Sequence, residues 1–237
     1  MPTIPLVLLP GLMCDQTVWT DQINALEGIA EAQVADYGSL NSLPAMAEAA
    51  LKTAPPKFAL AGHSMGGRVA MEMFRQAPDR ITHLCLMDTR YHPLPAGEAG
   101  EKEKAGRYAL VDLAREKGTR VMGEEWVRGM VHPDRLQDST LIDAILDMFA
   151  RKSADIFEAQ QSALLTRPDA GMLMSQIQCP TLILCGRQDG WSTPEWHESM
   201  AREIRGAVLS VIDDCGHMST MERPAEVSAA LREWLTN

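Results

Sequence analysis

The sequence contains no long apolar run, no excess of positive charge and no cysteine or histidine spacing that would hold a metal. No uninterrupted hydrophobic stretch approaches the roughly 20 residues that cross a bilayer, so no membrane partner is expected. The opening residues Met1-Pro2-Thr3-Ile4-Pro5 lack the basic region that begins a secretory signal. The apolar stretch behind them runs into Pro10-Gly11, which reads as a buried strand and a turn and predicts a cytoplasmic protein. Lysine and arginine number 22 against 32 aspartates and glutamates, a formal charge of −10. Such a surface repels a phosphate backbone, which argues against nucleic acid as a partner and otherwise serves solubility.

The five cysteines are odd in number and match neither zinc nor redox spacing. Cys85 and Cys185 lie in apolar runs and read as small buried hydrophobes in a reducing compartment. Cys14 and Cys215 lie near chemistry-bearing segments, where a catalytic thiol is the weaker reading. There is no G-x-G-x-x-G and no Walker loop. His197-Glu198 opens like a zinc-protease motif, but position 201 is Ala201. No cofactor and no metal are expected.

What is present is ordinary for a globular chain: 237 residues, 46% apolar and 23% charged, enough for one large domain. Short apolar runs alternate with amphipathic stretches. The pattern predicts strands over 4–9, 32–36, 58–61 and 83–88, and helices over 16–27, 43–53 and 64–76. The strands are continuously apolar, as a parallel sheet covered on both faces requires. After Asp88 the rhythm breaks into helices over 98–117, 119–130, 135–152 and 154–166 and a short one over 171–176. Pro133, Pro168 and Pro180 punctuate this region. Strands over 181–185 and 208–212 and helices over 194–205 and 224–235 then resume the α/β order, with Pro224 suited to a first helical turn. Residues 1–90 and 179–237 thus read as one α/β core, and 91–178 as a helical insertion.

The sharpest motif is Phe58-Ala-Leu-Ala-Gly62-His63-Ser64-Met65-Gly66-Gly67, a G-x-S-x-G between a strand and a helix. That bend exposes a serine hydroxyl, and the glycines let strand and helix close in. A serine needs a base to act as a nucleophile. Among six histidines, His217 follows the last strand behind Gly216 and suits a base at the sheet's carboxyl edge. His63 packs beside the bend, and His83, His92, His132 and His197 lie in no motif. An acid that orients the base is expected after the preceding strand, which favours Asp189. Asp213, Asp214 and Asp88 are rivals. Two backbone amides are expected to face the developing oxyanion, those of Met65 and Leu12.

At this point the sequence resembles the α/β-hydrolase superfamily, in particular its small capped esterase-like members. The stretch Leu9-Pro-Gly-Leu-Met-Cys-Asp-Gln-Thr-Val-Trp19, the bend at Ser64, Gly186-Arg-Gln-Asp189, Gly216-His217 and Glu222-Arg-Pro-Ala-Glu226 match in order along the whole chain. The resemblance implies a triad of Ser64, Asp189 and His217, with Leu12 and Met65 as oxyanion donors. Two departures stand out. Pro10-Gly11 replaces the usual His-Gly, and the first strand starts too early to leave room for an N-terminal hairpin. The expected sheet therefore has about six mostly parallel strands, flanked by helices and topped by a helical cap.

The cap is expected to roof the substrate pocket, with Trp126, Met130, Met148, Phe149 and Trp191 as wall candidates, although residues at helical spacing are more often core than pocket. The implied reaction is cleavage of a small carboxylic ester through an acyl-serine. Carbon–carbon cleavage, a lyase step, perhydrolysis or acyl transfer on the same residues are alternatives, as is a ligand receptor without turnover. Met218 stands where hydroxynitrile lyases of this fold place a lysine, and Ser64 where haloalkane dehalogenases place an aspartate.

Overall fold

The computed structural model describes residues 3–237. Six strands form one sheet: β1 (Ile4–Leu9), β2 (Ala30–Val34), β3 (Phe58–His63), β4 (Ile81–Met87), β5 (Thr181–Gly186) and β6 (Val208–Ile212). Their order is β2-β1-β3-β4-β5-β6, and every pairing is parallel. The continuous apolar runs have the expected cause: β3 and β5 are buried at every position. The edge strands β2 and β6 are partly exposed, and polar residues are tolerated there.

The chain enters at β1, moves out to β2 at the edge, then jumps back across β1 to β3. The order therefore reverses between β1 and β3. At such a switch point the loops leave the carboxyl ends in opposite directions and open a crevice. The loop after β1 and the bend after β3 both lie there.

The helices of the sheet layers are α1 (Thr20–Ala25), α2 (Leu43–Thr53) and α3 (Met65–Gln76). Between β4 and β5 come α4 (Glu98–Lys117), α5 (Thr119–Trp126), α6 (Ser139–Ala150), α7 (Ala154–Leu165) and α8 (Gly171–Met174). The chain closes with α9 (Pro194–Glu203), α10 (Ser219–Glu222) and α11 (Pro224–Thr236). Helix α3 packs on β1, β3 and β4 and against α2, while α11 packs on α1, β5 and β6. In the inserted block α4 packs on α5 and α7, and α5 on α6. No helix among the described residues is long and apolar enough to cross a membrane.

The boundaries differ from expectation where local capping wins. The helix expected over 16–27 is a 3-10 turn, Gln16–Trp19, followed by α1. Asp15 caps that turn by accepting from the Thr17 amide at 2.9 Å. The helix expected over 135–152 is likewise split, because Asp138 accepts from the Leu141 amide at 3.2 Å and starts α6 afresh. The helix expected over 119–130 tightens into a 3-10 turn, Val127–Gly129, after Trp126. Strand β2 begins two residues earlier than the pattern indicated, and α10 was not foreseen.

Candidate active site

Ser64 sits between β3 and α3 with φ 56° and ψ −117°, a region non-glycine residues rarely occupy. Such a conformation costs on the order of 1–3 kcal/mol and persists only when its surroundings enforce it. The Ser64 amide donates to the Met87 carbonyl at 2.8 Å, and its carbonyl accepts from the Thr89 hydroxyl at 2.8 Å. The glycines around it are required by contact. A β-carbon on Gly66 would collide with the Leu9 carbonyl, and one on Gly67 would lie 2.6 Å from the Thr89 side chain. Thr89 is held in turn by His197, which sequence reasoning set aside. The Thr89 amide donates to His197 Nε2 at 3.1 Å, and His197 Nδ1 donates to the Thr193 carbonyl at 3.0 Å. Burial lowers the His197 pKa and keeps the ring in the neutral form this pairing needs.

The structure brings Ser64, His217 and Asp189 together from three distant stretches. Ser64 Oγ lies 2.8 Å from His217 Nε2, and His217 Nδ1 lies 2.7 Å from Asp189 Oδ2. The other Asp189 oxygen accepts from the Trp191 and Ser192 amides at 2.8 and 2.9 Å, so the buried carboxylate is fully engaged. Burial alone would lower the His217 pKa, but the Asp189 charge and hydrogen bond outweigh it and the net direction is upward. Burial likewise opposes ionisation of Asp189, while the His217 charge and the hydrogen bonds hold its pKa below the ordinary carboxylate value.

The loop carrying His217 is fixed on every side. Its amide donates to the Met130 carbonyl of the inserted block at 2.7 Å, and its carbonyl accepts from His63 Nε2 at 2.8 Å. Burial pushes His63 down to about 4, so His63 is a neutral strut beside the bend. Glu222, buried, accepts from the Gly216 and Met218 amides at 3.0 and 3.1 Å with one oxygen and from the His132 amide at 2.7 Å with the other. One carboxylate thus ties the histidine loop to the inserted helices.

The rival acids are placed elsewhere. Asp88 is fully buried, accepts from the Gly186 amide at 3.1 Å and from the Ser219 hydroxyl, and lies 3.6 Å from His63. Burial, reinforced by the charge of Asp189, raises its pKa well above the ordinary value. Asp213 pairs with Arg187, and Asp214 with Arg223 at 3.1 Å, both near the surface. The thiols are not activated: burial pushes Cys14 up to about 12 and Cys215 also upward.

Leu12 and Met65 both line the cavity that opens on Ser64. Among the described residues neither amide has a hydrogen-bond acceptor in the protein. The loop bearing Leu12 is pinned from two directions. Tyr37 donates to the Pro10 carbonyl at 3.2 Å, and the Met13 amide, on a residue with φ 62°, donates to Gln160 Oε1 of α7 at 2.8 Å. Where the expected His-Gly is Pro10-Gly11, Gly11 is the residue that matters. A β-carbon there would stand 3.0 Å from His63 Nδ1 and 3.3 Å from Ser64 Cβ.

The cavity has a volume of about 740 Å³. Of the expected wall residues, Trp126, Met130 and Trp191 line it. The Trp191 ring centre lies 4.9 Å from that of His217 and 5.6 Å from that of Trp126. Met148 and Phe149 do not line it, a correction to the sequence reading. Both are fully buried on α6, and the Phe149 ring supports Trp126 from behind at 5.4 Å. Sequence reasoning also missed a cationic wall formed by Arg68, Arg90, Lys102, Arg107 and Arg167. Its members come from α3, the segment after β4, α4 and the segment after α7, and no motif links them. No group of three or more His, Cys, Asp or Glu side chains placed to hold a metal occurs among the described residues.

A strained serine joining a buried parallel strand to a helix at a switch point defines the alpha/beta hydrolases as a class. Residues 6–230 match the sequence model of the Alpha/beta hydrolase family, and the chain belongs to it. A thermophilic esterase from Thermogutta terrifontis, solved with malate bound, is 30% identical with a TM-score of 0.86, covering 98% of this chain and 89% of its own. A putative esterase/lipase of Haemophilus influenzae is 25% identical over 185 residues, and this chain spans only 60% of its length. The (E)-2-((N-methylformamido)methylene)succinate hydrolase of Acinetobacter baylyi is 22% identical over 246 residues, covering 98% of this chain and 90% of that protein. The chain is an alpha/beta hydrolase with esterase- and lipase-like relatives.

Proposed function

We propose that the protein is a serine hydrolase that cleaves a small carboxylic ester through an acyl-serine intermediate. The observation that carries this reading is the unbroken hydrogen-bonded line from Ser64 through His217 to Asp189, with steps of 2.8 and 2.7 Å. Ser64 Oγ attacks the ester carbonyl as its proton passes to His217 Nε2. Asp189 keeps Nδ1 protonated and stabilises the imidazolium. The oxyanion takes the free amides of Leu12 and Met65, an interaction worth about 3–4 kcal/mol per donor in other serine hydrolases. Collapse breaks the ester C–O bond, and the departing alcohol takes the proton from His217. Water then repeats the sequence on the acyl-serine, and the acid leaves.

In this reading residues 91–178 act as a cap whose Trp126 supplies part of the pocket wall, stacked on Trp191 of the core. The substrate is a small molecule, and the unpaired cysteines fit a cytoplasmic setting. The relatives named esterase or lipase support ester chemistry.

The test combines a p-nitrophenyl ester series with a fluorophosphonate probe located by mass spectrometry. Turnover and label on Ser64 are expected, and Ser64→Ala should abolish the label and cut turnover by at least about 10³-fold. An enzyme that turns over no ester and takes no label would overturn the reading. Label without ester turnover would move the reaction to another bond.

A further inference from the structure

The cavity that opens on Ser64 reverses the charge balance of the molecule. The chain carries 32 acidic and 22 basic residues. Yet the lining holds Arg68, Arg90, Lys102, Arg107 and Arg167 against only Glu103 and Asp88. Neither carboxylate is free to balance that surplus. Glu103 accepts from Arg167 at 2.8 and 2.9 Å and from Arg107 at 2.9 Å. Asp88 is committed to Gly186 and Ser219 and meets no arginine.

Two guanidiniums are left over. Arg68 donates to the His92 carbonyl at 2.9 Å and forms no ion pair. Burial, aided by the charges of Arg167, Arg90 and Arg107 and opposed by that of Glu103, pushes it down to about 9. Arg90 lies 5.2 Å over the Trp196 ring, donates to the Trp191 carbonyl at 3.4 Å and also forms no ion pair. A buried neutral donor completes the set. Arg107 donates to Gln161 Oε1 at 2.6 Å, and because arginine only donates, the amide orientation is settled. That leaves Gln161 Nε2 buried with no acceptor. Unpaired buried donors of this kind are costly and call for a partner.

We propose that the substrate is an ester bearing a second, ionised group, a carboxylate or a phosphate, held by Arg68, Arg90 and Gln161 while Ser64 works on the ester bond. This rests on the serine-hydrolase reading. Arg68 lies in the first turn of α3, four residues after Ser64, and lines the same cavity as Ser64, Arg90 and Gln161. A substrate with an ester and an anionic group fits that shared lining. Guanidinium forks suit the planar or tetrahedral oxygens of such an anion. A wholly apolar acyl chain would leave both guanidiniums without a counter-charge and Gln161 Nε2 without an acceptor.

The experiment compares matched pairs on the full chain by alcohol or acid release: monoethyl glutarate with diethyl glutarate, and butyryl glycerol phosphate with monobutyrin. The charged member of at least one pair should show a kcat/KM at least about tenfold higher. Which pair responds distinguishes a carboxylate from a phosphate. Arg68→Gln or Arg90→Gln should bring that ratio toward one through KM, and Arg68→Lys should recover part of it. Thermal shift with succinate and with inorganic phosphate, against sodium chloride at equal ionic strength, is run on wild type and on Ser64→Ala. A rise in Tm for either anion, diminished in Arg90→Gln, is expected. Neutral members hydrolysed as fast in both pairs, with no specific Tm rise, would overturn the anion site and leave ester hydrolysis standing. No turnover or label on any ester would instead remove the hydrolase reading, and the Ser64→Ala thermal shift would still decide anion binding.

Discussion

Ser64 keeps an unfavourable backbone conformation because its neighbours leave no alternative. The Met87 carbonyl holds its amide, Thr89 holds its carbonyl, and Gly66 lets α3 approach β1. The hydroxyl is thereby aimed at His217, whose protonation state sets the pH range of activity in the proposed mechanism. His217 must be neutral to take the Ser64 proton, and its pKa is shifted upward against burial by Asp189. Activity is therefore expected to fall on acidification with a midpoint above the ordinary imidazole value. Asp189→Asn removes both the charge that raises it and the acceptor that fixes the His217 tautomer and stabilises the imidazolium, and the second loss should drop kcat by about 10⁴-fold. The acid limb of any residual kcat/KM should move to lower pH. A pH–rate profile of both proteins checks this, and an unmoved acid limb would show that another group controls it.

At the level of elements, the site is a set of loops pinned by side chains from afar. Glu222 on α10 accepts from three backbone amides, those of Gly216, Met218 and His132. Hydrogen bonds to a charged acceptor are worth about 1.5–3 kcal/mol each when buried. Relaxation and water recover part of that, so Glu222→Ala is expected to cost about 2–4 kcal/mol of stability. It should also lower kcat without a matching change in KM, because the histidine loop loosens while the pocket walls stay. Denaturant melts and steady-state kinetics report the two effects separately. Wild-type kcat in a destabilised variant would show that the clamp serves the fold alone. The split helices belong to this scale as well. Asp138 reads as helical interior in a periodicity count, yet its side chain caps a new start. Apolar spacing alone therefore placed the helices and missed their breaks.

Across the whole molecule the inserted helices hold the loops of the candidate site. Met130 receives the His217 amide, Gln160 receives the Met13 amide, and His132 donates to Glu222. Replacing residues 97–178 with a linker of about 15 residues, enough for a parallel crossover, should therefore abolish ester turnover and lower Tm. A shortened protein that turned over small esters at the wild-type rate would show the insertion to be a dispensable roof. Thermal melts and a p-nitrophenyl acetate assay on that variant decide between the two.

The sequence by itself determined the six-stranded parallel sheet, the bend at Ser64 and the loop residues that meet there. Those features follow from local rules: continuous apolar runs, glycines where backbones touch, and a serine between glycines where a strand meets a helix. Position along the chain also ranked Asp189 above Asp88, but only the packing showed why, since Asp88 is already engaged by Gly186 and Ser219. Tertiary structure alone decided that Phe149 backs Trp126 instead of facing the pocket, and that Gln160 and Glu222 pin the loops. It alone gathered the arginines as well. A contact between residues some 100 positions apart depends on how helices α4 to α7 settle on the sheet, and pairwise packing across that interface leaves no mark in the spacing of any one segment.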